Sequence, residues 1–222
     1  MLSKYRALRV TALAVAFLTT TSSAGVFSTA LLAGYKGGTG FALSGSAAGF
    51  ASGFPLAFEF TVGHARMDPG SAELARKIFI NDATDGTPEK AGWMWDMQFD
   101  FLHPVRILGL NNANVYAGVR YSVFTANFKF VGGNEDFDVT SYQWGIGAGV
   151  KALFPMSRSL GFVVKTGVEH FFTGTLYGHD TSYSPNGEYV NRRRDYTFKE
   201  ADAVVNQPKF HLVGMLGISY AF

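Results

Sequence analysis

Large apolar residues alternate with smaller or polar residues at the carboxyl end of the chain. The final stretch, KFHLVGMLGISYAF, places these large residues on one side of a two-residue period: Phe210, Leu212, Leu216, Ile218, Tyr220 and Phe222. Successive side chains of a strand leave opposite faces, so this period indicates a β-strand. The end of a soluble domain is seldom apolar and ordered, and the pattern therefore predicts an apolar environment against this face.

The same alternation recurs along the chain. It is clear in PLAFEFTV, GWMWDMQFDFL, NVYAGVRYSVF, SYQWGIGAGVKALF and GFVVKTGVEHFF, whereas STALLAGYKG and FALSGSAAGFAS are rich in small residues and are placed mainly by counting. The pattern predicts eight strands, at about 27–37, 41–53, 55–67, 91–103, 114–130, 138–154, 161–177 and 208–222. An even number of antiparallel strands suits an all-β, closed up-and-down barrel whose two ends lie on one side.

The connections between the predicted strands differ in length. FP at Phe54 and FPMSRSL at Pro155 are short, and HPVRILGLNNAN is intermediate. At the other end, GGTG is tight, but the remaining connections are longer and polar, and the last runs from GHDTSYSP to DAVVNQ. Asp68-Pro69 could begin a brief helix, although an irregular loop is favoured there. Short turns at one end and long loops at the other are typical of outer-membrane barrels.

The composition of the two faces indicates which one points outward. An eight-stranded barrel has an interior just wide enough for side chains to fill. The apolar face carries Trp93, Trp95 and Trp144 with several phenylalanines, which would overfill that space. The other face is rich in glycine with scattered charges, and aromatic residues gather near both strand ends, as membrane interfaces require. The apolar face is therefore predicted to point outward, into lipid.

The first 24 residues have the features of a secretory signal peptide. A basic start with Lys4, Arg6 and Arg9 precedes the short apolar run VTALAVAFL and the small residues ending at Ala24. The predicted organisation is a signal peptide at 1–24 and one barrel domain at 25–222. Removing the three basic residues leaves 16 basic against 17 acidic residues, so no basic field points to nucleic acid. The chain has no cysteine and hence no disulfide.

The signal peptide, the alternating segments and the terminal GISYAF resemble the small eight-stranded outer-membrane barrels of Gram-negative bacteria, the group of the OmpA domain, OmpX, Ail and the opacity proteins. The resemblance implies residence in the outer membrane, with outer-membrane lipid and lipopolysaccharide as surroundings. It also implies that Ile218, Tyr220 and Phe222 serve as the signal read by the outer-membrane assembly machinery. It does not specify a function.

Charged residues on the inward face are expected to form a network inside the barrel. They are four acidic and three basic residues, which nearly cancel: Glu59, Asp96, Asp100, Arg120, Lys151, Lys165 and Glu169. A symmetric turn over 103–113 would place Asp96 opposite Arg120, with Gly147 and Gly149 leaving room for the long side chain. A structural plug is favoured over a narrow channel for ions or small solutes, because eight strands enclose so little space.

Catalytic and metal chemistry find little support in the sequence. Asp96 and Asp100 lie roughly 13 Å apart along a strand, too far for a glycosidase pair. The five histidines are dispersed without ligand spacing, so no metal or cofactor is expected. His179, Asp180 and Ser182 cluster in the last loop and leave a lipid A-modifying enzyme as a third alternative, but a non-enzymatic barrel is favoured.

The last long loop is the most promising surface for binding a partner. Arg192, Arg193 and Arg194 form a basic cluster beside tyrosines, and arginine pairs well with phosphate and carboxylate. Lipopolysaccharide phosphates or acidic host polysaccharides are the partners that this chemistry would select. A solvated charge run balanced by neighbouring acids is the alternative, and it is favoured.

Overall fold

The computed structural model describes residues 26–49, 54–83, 85–107, 109–193 and 195–222. The predicted signal peptide at 1–24 and its boundary with the barrel lie outside this part of the chain, as does Arg194.

Eight antiparallel strands close into a barrel, as the alternation predicted. They are β1 (Val26–Lys36), β2 (Thr39–Ala48), β3 (Ala57–Met67), β4 (Thr87–Ile107), β5 (Leu110–Val131), β6 (Asp136–Pro155), β7 (Leu160–Phe171) and β10 (Phe210–Ala221). Each strand pairs with its neighbour in the chain, and β1 pairs with β10, which closes the barrel. Two short strands, β8 (Leu176–Tyr177) and β9 (Ser182–Tyr183), continue the sheet beside β6.

Three of the strands are longer than predicted. β4, β5 and β6 have 21, 22 and 20 residues, and they extend beyond the other strands at the long-loop end. The connection HPVRILGLNNAN is mostly strand, because pairing continues as far as Ile107 opposite Leu110. The sheet is therefore extended by β4, β5 and β6 at the long-loop end, and by the β4–β5 hairpin at the short-turn end.

The apolar side chains point outward around the barrel, as predicted. Trp144 is 62% exposed, and Leu31, Ile146, Leu212 and Phe222 are exposed in the same way. Ring pairs such as Tyr121–Trp144, at 5.1 Å, link outward residues of neighbouring strands. A continuous apolar surface of this kind is stable only against another apolar medium.

The sense of the alternation inverts along β5. Up to Val123 the outward residues are apolar, and the inward residues Arg120 and Ser122 are buried and polar. Beyond it the outward residues are Thr125, Asn127 and Lys129, whereas these inward residues are apolar and buried: Phe124, Ala126, Phe128 and Phe130. The strand thus passes from an inside-out barrel into an ordinary two-sided sheet with a solvent-facing exterior. The inversion marks the edge of the apolar band.

Two helices cover the inner face of the extension at the long-loop end. α1 (Ala72–Phe79) begins after Ser71 in the loop that follows Asp68-Pro69, so the preference for an irregular loop there was wrong. Apolar patterning explains the helix, because Ala75, Ile78 and Phe79 are buried on one of its faces. Among the described residues, neither helix has the length and apolarity needed to cross a membrane.

α2 (Phe198–Val204) lies in the last loop, where no helix was predicted. Thr197 and Glu200 form a reciprocal capping box at its start, and Ala201 and Val204 are buried. Ser71 N–H donates to the carbonyl of Val204 at 2.9 Å, which ties the two helical loops together. The helices and the inward aromatic residues of β5 and β6 share one apolar core, and we call this unit the cap.

Candidate functional site: the barrel lumen and the cap

All seven charged residues predicted to face inward are buried inside the barrel, where an eighth joins them. Lys36 of β1 is 1% exposed and faces the same interior. The sequence analysis missed it because the small-residue pattern of β1 gave a weak inside–outside signal. Among the described residues, the lumen with Lys36 holds four acidic and four basic side chains, so their formal charges cancel.

Arg120 is the centre of the upper part of the network. Its Nη1 atom donates to Asp100 Oδ1 at 2.7 Å, and its Nε atom donates to Glu169 Oε1 at 2.9 Å. Lys36 forms an ion pair with Asp96 and lies 3.5 Å from Glu169 Oε2. Each carboxylate at this level therefore has a cation beside it, which a buried charge requires.

Glu59 is the centre of the lower part. It forms an ion pair with Lys151 and accepts from Lys165 Nζ at 3.0 Å. Lys165 Nζ also lies 3.3 Å from Asp100 Oδ2, which joins the lower part to the upper part through Asp100. We refer to the eight residues together as the luminal network.

The predicted opposition of Asp96 and Arg120 was wrong. Asp96 pairs in register with Ser122, and Arg120 pairs with Gln98, because the β4–β5 hairpin turns at Ile107 and Leu110 and contains a register shift near Val105. Arg120 instead reaches Asp100 diagonally on the neighbouring strand β4, and the other luminal salt bridges join non-neighbouring strands across the lumen, which sequence spacing does not reveal.

The two glycines expected beside Arg120 have different neighbours. A Cβ atom on Gly147 would lie 2.6 Å from Arg120 Nη2, so this glycine does leave room for the guanidinium. On Gly149 a Cβ would instead lie 2.6 Å from the hydroxyl of Tyr116. The expectation is confirmed for Gly147 alone.

Arg76 of α1 fastens the cap to the sheet extension. Its Nη1 atom donates to the carbonyl of Asp85 at 2.7 Å, its Nη2 atom lies 2.9 Å from Glu135 Oε2, and its guanidinium lies over the Phe130 ring at 4.4 Å. A hydrogen bond from the Asn81 amide, with the Arg76 charge in support, lowers the pKa of the Glu135 carboxyl. Arg76 was not predicted as a site residue from the sequence. The available signal was its position as a basic residue within the amphipathic segment Ala72–Phe79.

The arginines of the last loop have separate environments. Arg193 donates to Asp82 Oδ2 at 2.9 Å and to the Lys77 carbonyl at 2.8 Å, and the hydrogen bond to Asp82 raises its pKa. The Arg192 guanidinium lies 3.7 Å from the centre of the Tyr189 ring at the exposed tip of the loop. Arg193 therefore braces the cap, and Arg192 is half-buried against an exposed tyrosine.

The three residues considered for a lipid A-modifying enzyme, His179, Asp180 and Ser182, do not contact one another as a single group. His179 Nδ1 lies 2.9 Å from Asp180 Oδ2, and both side chains are largely exposed. Ser182 is buried in β9, where its hydroxyl accepts from the Val190 N–H at 2.9 Å. In the part of the chain that the structure describes, no group of three or more His, Asp or Glu side chains is arranged to hold a metal ion.

The chain was compared with protein families, curated proteins and solved structures, and the similarities found are to outer-membrane barrels. No protein-family model and no curated protein matches the chain. The structure is similar to that of a major outer membrane protein from Thermus thermophilus, with 26% sequence identity, a TM-score of 0.72, and coverage of 90% of this chain and 100% of that chain. The chain is an eight-stranded outer-membrane β-barrel. Its long-loop end is thus the extracellular end, and its short turns are periplasmic.

Two further solved barrels are more distant. Neisserial surface protein A has 11% identity and a TM-score of 0.38, with coverage of 89% of this chain and 96% of that chain. Acinetobacter baumannii CarO has 12% identity and a TM-score of 0.43, with coverage of 88% and 97% respectively.

The terminal residues of the proposed assembly signal lie on the lipid-facing side of the barrel. Ile218, Tyr220 and Phe222 are exposed there, and the backbone N–H of Phe222 donates to the Phe27 carbonyl at 3.0 Å. The carboxyl-terminal strand is therefore the one that seals the barrel against β1.

Proposed function

We propose that this outer-membrane barrel is a non-conducting scaffold that holds its cap at the cell surface for structural and surface-interaction roles. The observation that carries the proposal is the luminal network, in which four acids and four bases interlock across the barrel. An ion entering the lumen would have to separate charges that lie within hydrogen-bonding distance of one another. The cap adds an apolar layer above them.

Recordings in planar bilayers test this proposal. Folded wild-type protein, checked by heat-modifiable gel mobility, is expected to give no stable conductance steps. The informative comparison is Lys36→Met, in the lumen, with Arg158→Met, in an exposed periplasmic turn. Steady wild-type steps whose size changes with Lys36→Met but not with Arg158→Met would contradict the proposal and support the narrow channel.

We further propose that the loop tip contacts anionic groups, such as lipopolysaccharide phosphate or acidic polysaccharide. The support is the exposed Tyr189 with Arg192 stacked against it, two residue types that dominate binding interfaces. Retention on a dextran sulfate column should fall for Arg192→Gln and stay unchanged for Arg158→Gln. Equal retention of both variants would contradict the proposed contact with anionic groups. Arg194→Gln is a second variant that tests the same arginine cluster.

A non-enzymatic role and recognition by the outer-membrane assembly machinery complete the proposal. Expression of the protein should leave the mass of lipid A unchanged. A mass shift abolished by His179→Ala would instead support the enzyme. Phe222→Ala should slow the appearance of heat-modifiable protein in cells, whereas Phe54→Ala should not.

A further inference from the structure

The outer surface of the barrel carries a groove at the extracellular edge of its apolar band. The groove has a volume of about 550 Å³ and lies on the outer face, over the short antiparallel pairing of β6 with the β8 segment. Its lining includes Asp136, Asp138, Thr140 and Tyr142 from one side, and Tyr177 and His179 from the other. None of these residues belongs to the luminal network or to the arginine cluster.

The position of the groove relates it to the membrane surface. Tyr142 lies beside Trp144 in the outward aromatic band, and its ring contacts that of Tyr177 at 6.0 Å between centroids. Asp138 lies about 13 Å further along the same strand, above the point where the outward face turns polar. An occupant that fills the groove would thus have one end at the acyl chains and the other among the headgroups.

The groove combines two carboxylates, which only accept, with the hydroxyls of Thr140, Tyr142 and Tyr177, which donate or accept. The Asn127 amide donates to Asp136 Oδ1 at 3.0 Å and to Asp138 Oδ1 at 2.9 Å. These two bonds use one carboxylate oxygen of each aspartate, and both aspartates line the groove. A carboxylate forms strong hydrogen bonds with hydroxyl groups, and a tyrosine ring provides an apolar face beside them.

The charge of the groove disfavours an anionic occupant. Among the described residues, no lysine or arginine lines it, and its one basic group, His179, lies against Asp180 at 2.9 Å. A phosphate headgroup would therefore meet two carboxylates, and Lys129, which pairs in register with Asp136 on β5, lies outside the lining. A neutral headgroup rich in hydroxyls meets acceptors and aromatic faces instead.

The β8 side of the groove packs against α1 and the core of the cap. Leu176 is fully buried, and a Cβ atom on Gly178 would lie 2.6 Å from the Phe79 ring of α1. The Thr181 hydroxyl donates to the Phe79 carbonyl at 3.2 Å. Anchoring on α1 keeps Tyr177 in place before any ligand arrives, which reduces the ordering cost of binding.

We propose that this groove binds the neutral sugar headgroup of a glycolipid in the outer leaflet, with Asp136 and Asp138 accepting from its hydroxyls and Tyr142 and Tyr177 flanking the ring. This site does not depend on a closed lumen, so its failure and that of the scaffold proposal can be told apart.

Native mass spectrometry of the detergent-solubilised barrel tests the site with three lipids of matched acyl chains: monoglucosyl diacylglycerol, phosphatidylglycerol and phosphatidylcholine. The glucosyl lipid should be retained most. Asp138→Asn and Tyr177→Ala should each reduce its retention, by about tenfold for the aspartate, the effect expected from one hydrogen bond to a charged group. Tyr35→Ala, an exposed lipid-facing tyrosine on β1, is the matched control and should retain the lipid as the wild type does.

Three outcomes would overturn the site. Equal retention of the glucosyl lipid by the wild type and both groove variants would show that the groove does not hold it. Preference for phosphatidylglycerol would show that an anion is selected. Preference for phosphatidylcholine that weakens with salt would show that the carboxylates select a cation. Heat-modifiable mobility of every variant confirms that folded protein is compared.

Discussion

At the scale of single residues, the lumen depends on buried charges that are held by one another. Arg120 is fully buried and bridges Asp100 and Glu169. Both acids have a second cation nearby, Lys165 at 3.3 Å from Asp100 and Lys36 at 3.5 Å from Glu169. Asp100 and Glu169 therefore each keep a cation if Arg120 is lost, although their shortest contacts are those with Arg120.

Replacing Arg120 by methionine is expected to lower the free energy of unfolding by about 3 kcal/mol, near the low end for breaking a buried ion pair, because the second cations compensate in part. Urea titration of the barrel in lipid vesicles measures the change. Arg158→Met, in an exposed turn, should change it by less than about 0.5 kcal/mol. Similar losses in both variants would mean that the luminal pairing contributes little.

Gly147 offers a second test at this scale. A methyl group there would lie 2.6 Å from Arg120 Nη2, so Gly147→Ala should displace the guanidinium at a cost of about 1–3 kcal/mol. Gly45→Ala is the matched control, since an added Cβ on this strand glycine meets no atom within 4 Å. The same urea titration compares the two, and equal stabilities would show that the network adjusts freely around Gly147.

At the scale of elements, the cap is a small folded unit with its own core and its own ion pair. α1 and α2 close over inward-facing aromatic residues of the extended strands, and Arg76 ties α1 to Glu135 at the β5–β6 turn. Because the cap lies outside the apolar band, it is in contact with the aqueous phase, and its ionisable groups respond to the pH of that phase. It should therefore open separately from the transmembrane barrel.

Acid should loosen the α1 region. The pKa of Glu135 is lowered from 4.5 in the folded state, so its stabilising effect is complete above that value and is lost as the pH falls through the lower folded value. Hydrogen exchange of α1 amides, corrected for intrinsic rates, should show protection falling as the pH drops below 4.5. Glu135→Gln should remove this part of the pH dependence, and an unchanged profile in that variant would assign the effect to another group.

α2 should depend on its capping box. Thr197 accepts from the Glu200 N–H, while the Glu200 carboxylate accepts from the Thr197 N–H at 2.7 Å. Thr197→Ala is expected to destabilise the helix by about 0.5–2 kcal/mol, read as faster hydrogen exchange of its amides. Lys199→Ala, an exposed change in the same helix, should leave exchange nearly unaltered. Equal exchange rates in the two variants would show that packing alone holds α2.

At the scale of the whole molecule, apolar side chains face outward within the membrane, whereas above the membrane they face inward, as in a soluble protein. Polar groups of the transmembrane part face a filled centre, and the apolar residues face lipid. Above the inversion on β5, apolar residues face the cap and polar residues face water. The same chain thus meets two solvents, and the reversal of its pattern follows the change of solvent.

The orientation of the three tryptophans tests this arrangement. Trp93, Trp95 and Trp144 lie on the outward face towards the extracellular end, so brominated phospholipids should quench their fluorescence strongly and aqueous acrylamide only weakly. Bromine near the headgroup should quench more than bromine near the end of the acyl chain, because interfacial tryptophans lie at headgroup depth. Strong acrylamide quenching with no effect of brominated lipid would show that the tryptophans face water and would contradict the lipid-facing orientation of the apolar side.

Sequence reasoning succeeded where one strand carries the whole signal. Alternation identified the strands and the outward face, and it identified seven of the charges that prove to be buried in the lumen. It was wrong on the Asp96–Arg120 pair, because the register between β4 and β5 depends on the geometry of the turn that connects them. It missed the cap, although the switch to inward Phe124, Phe128 and Phe130 was present in the pattern of β5.

The sequence by itself determined that this chain forms strands with one lipid-facing side that close into a barrel, since a hydrocarbon solvent leaves no place for an unpaired strand edge. Only the tertiary structure decided which charges pair across the lumen, that Arg193 braces α1 while Arg192 stays at the loop tip, and that β6 and β8 form a groove. Those contacts join residues far apart in the chain, and their distances are set by how the strands close around one another.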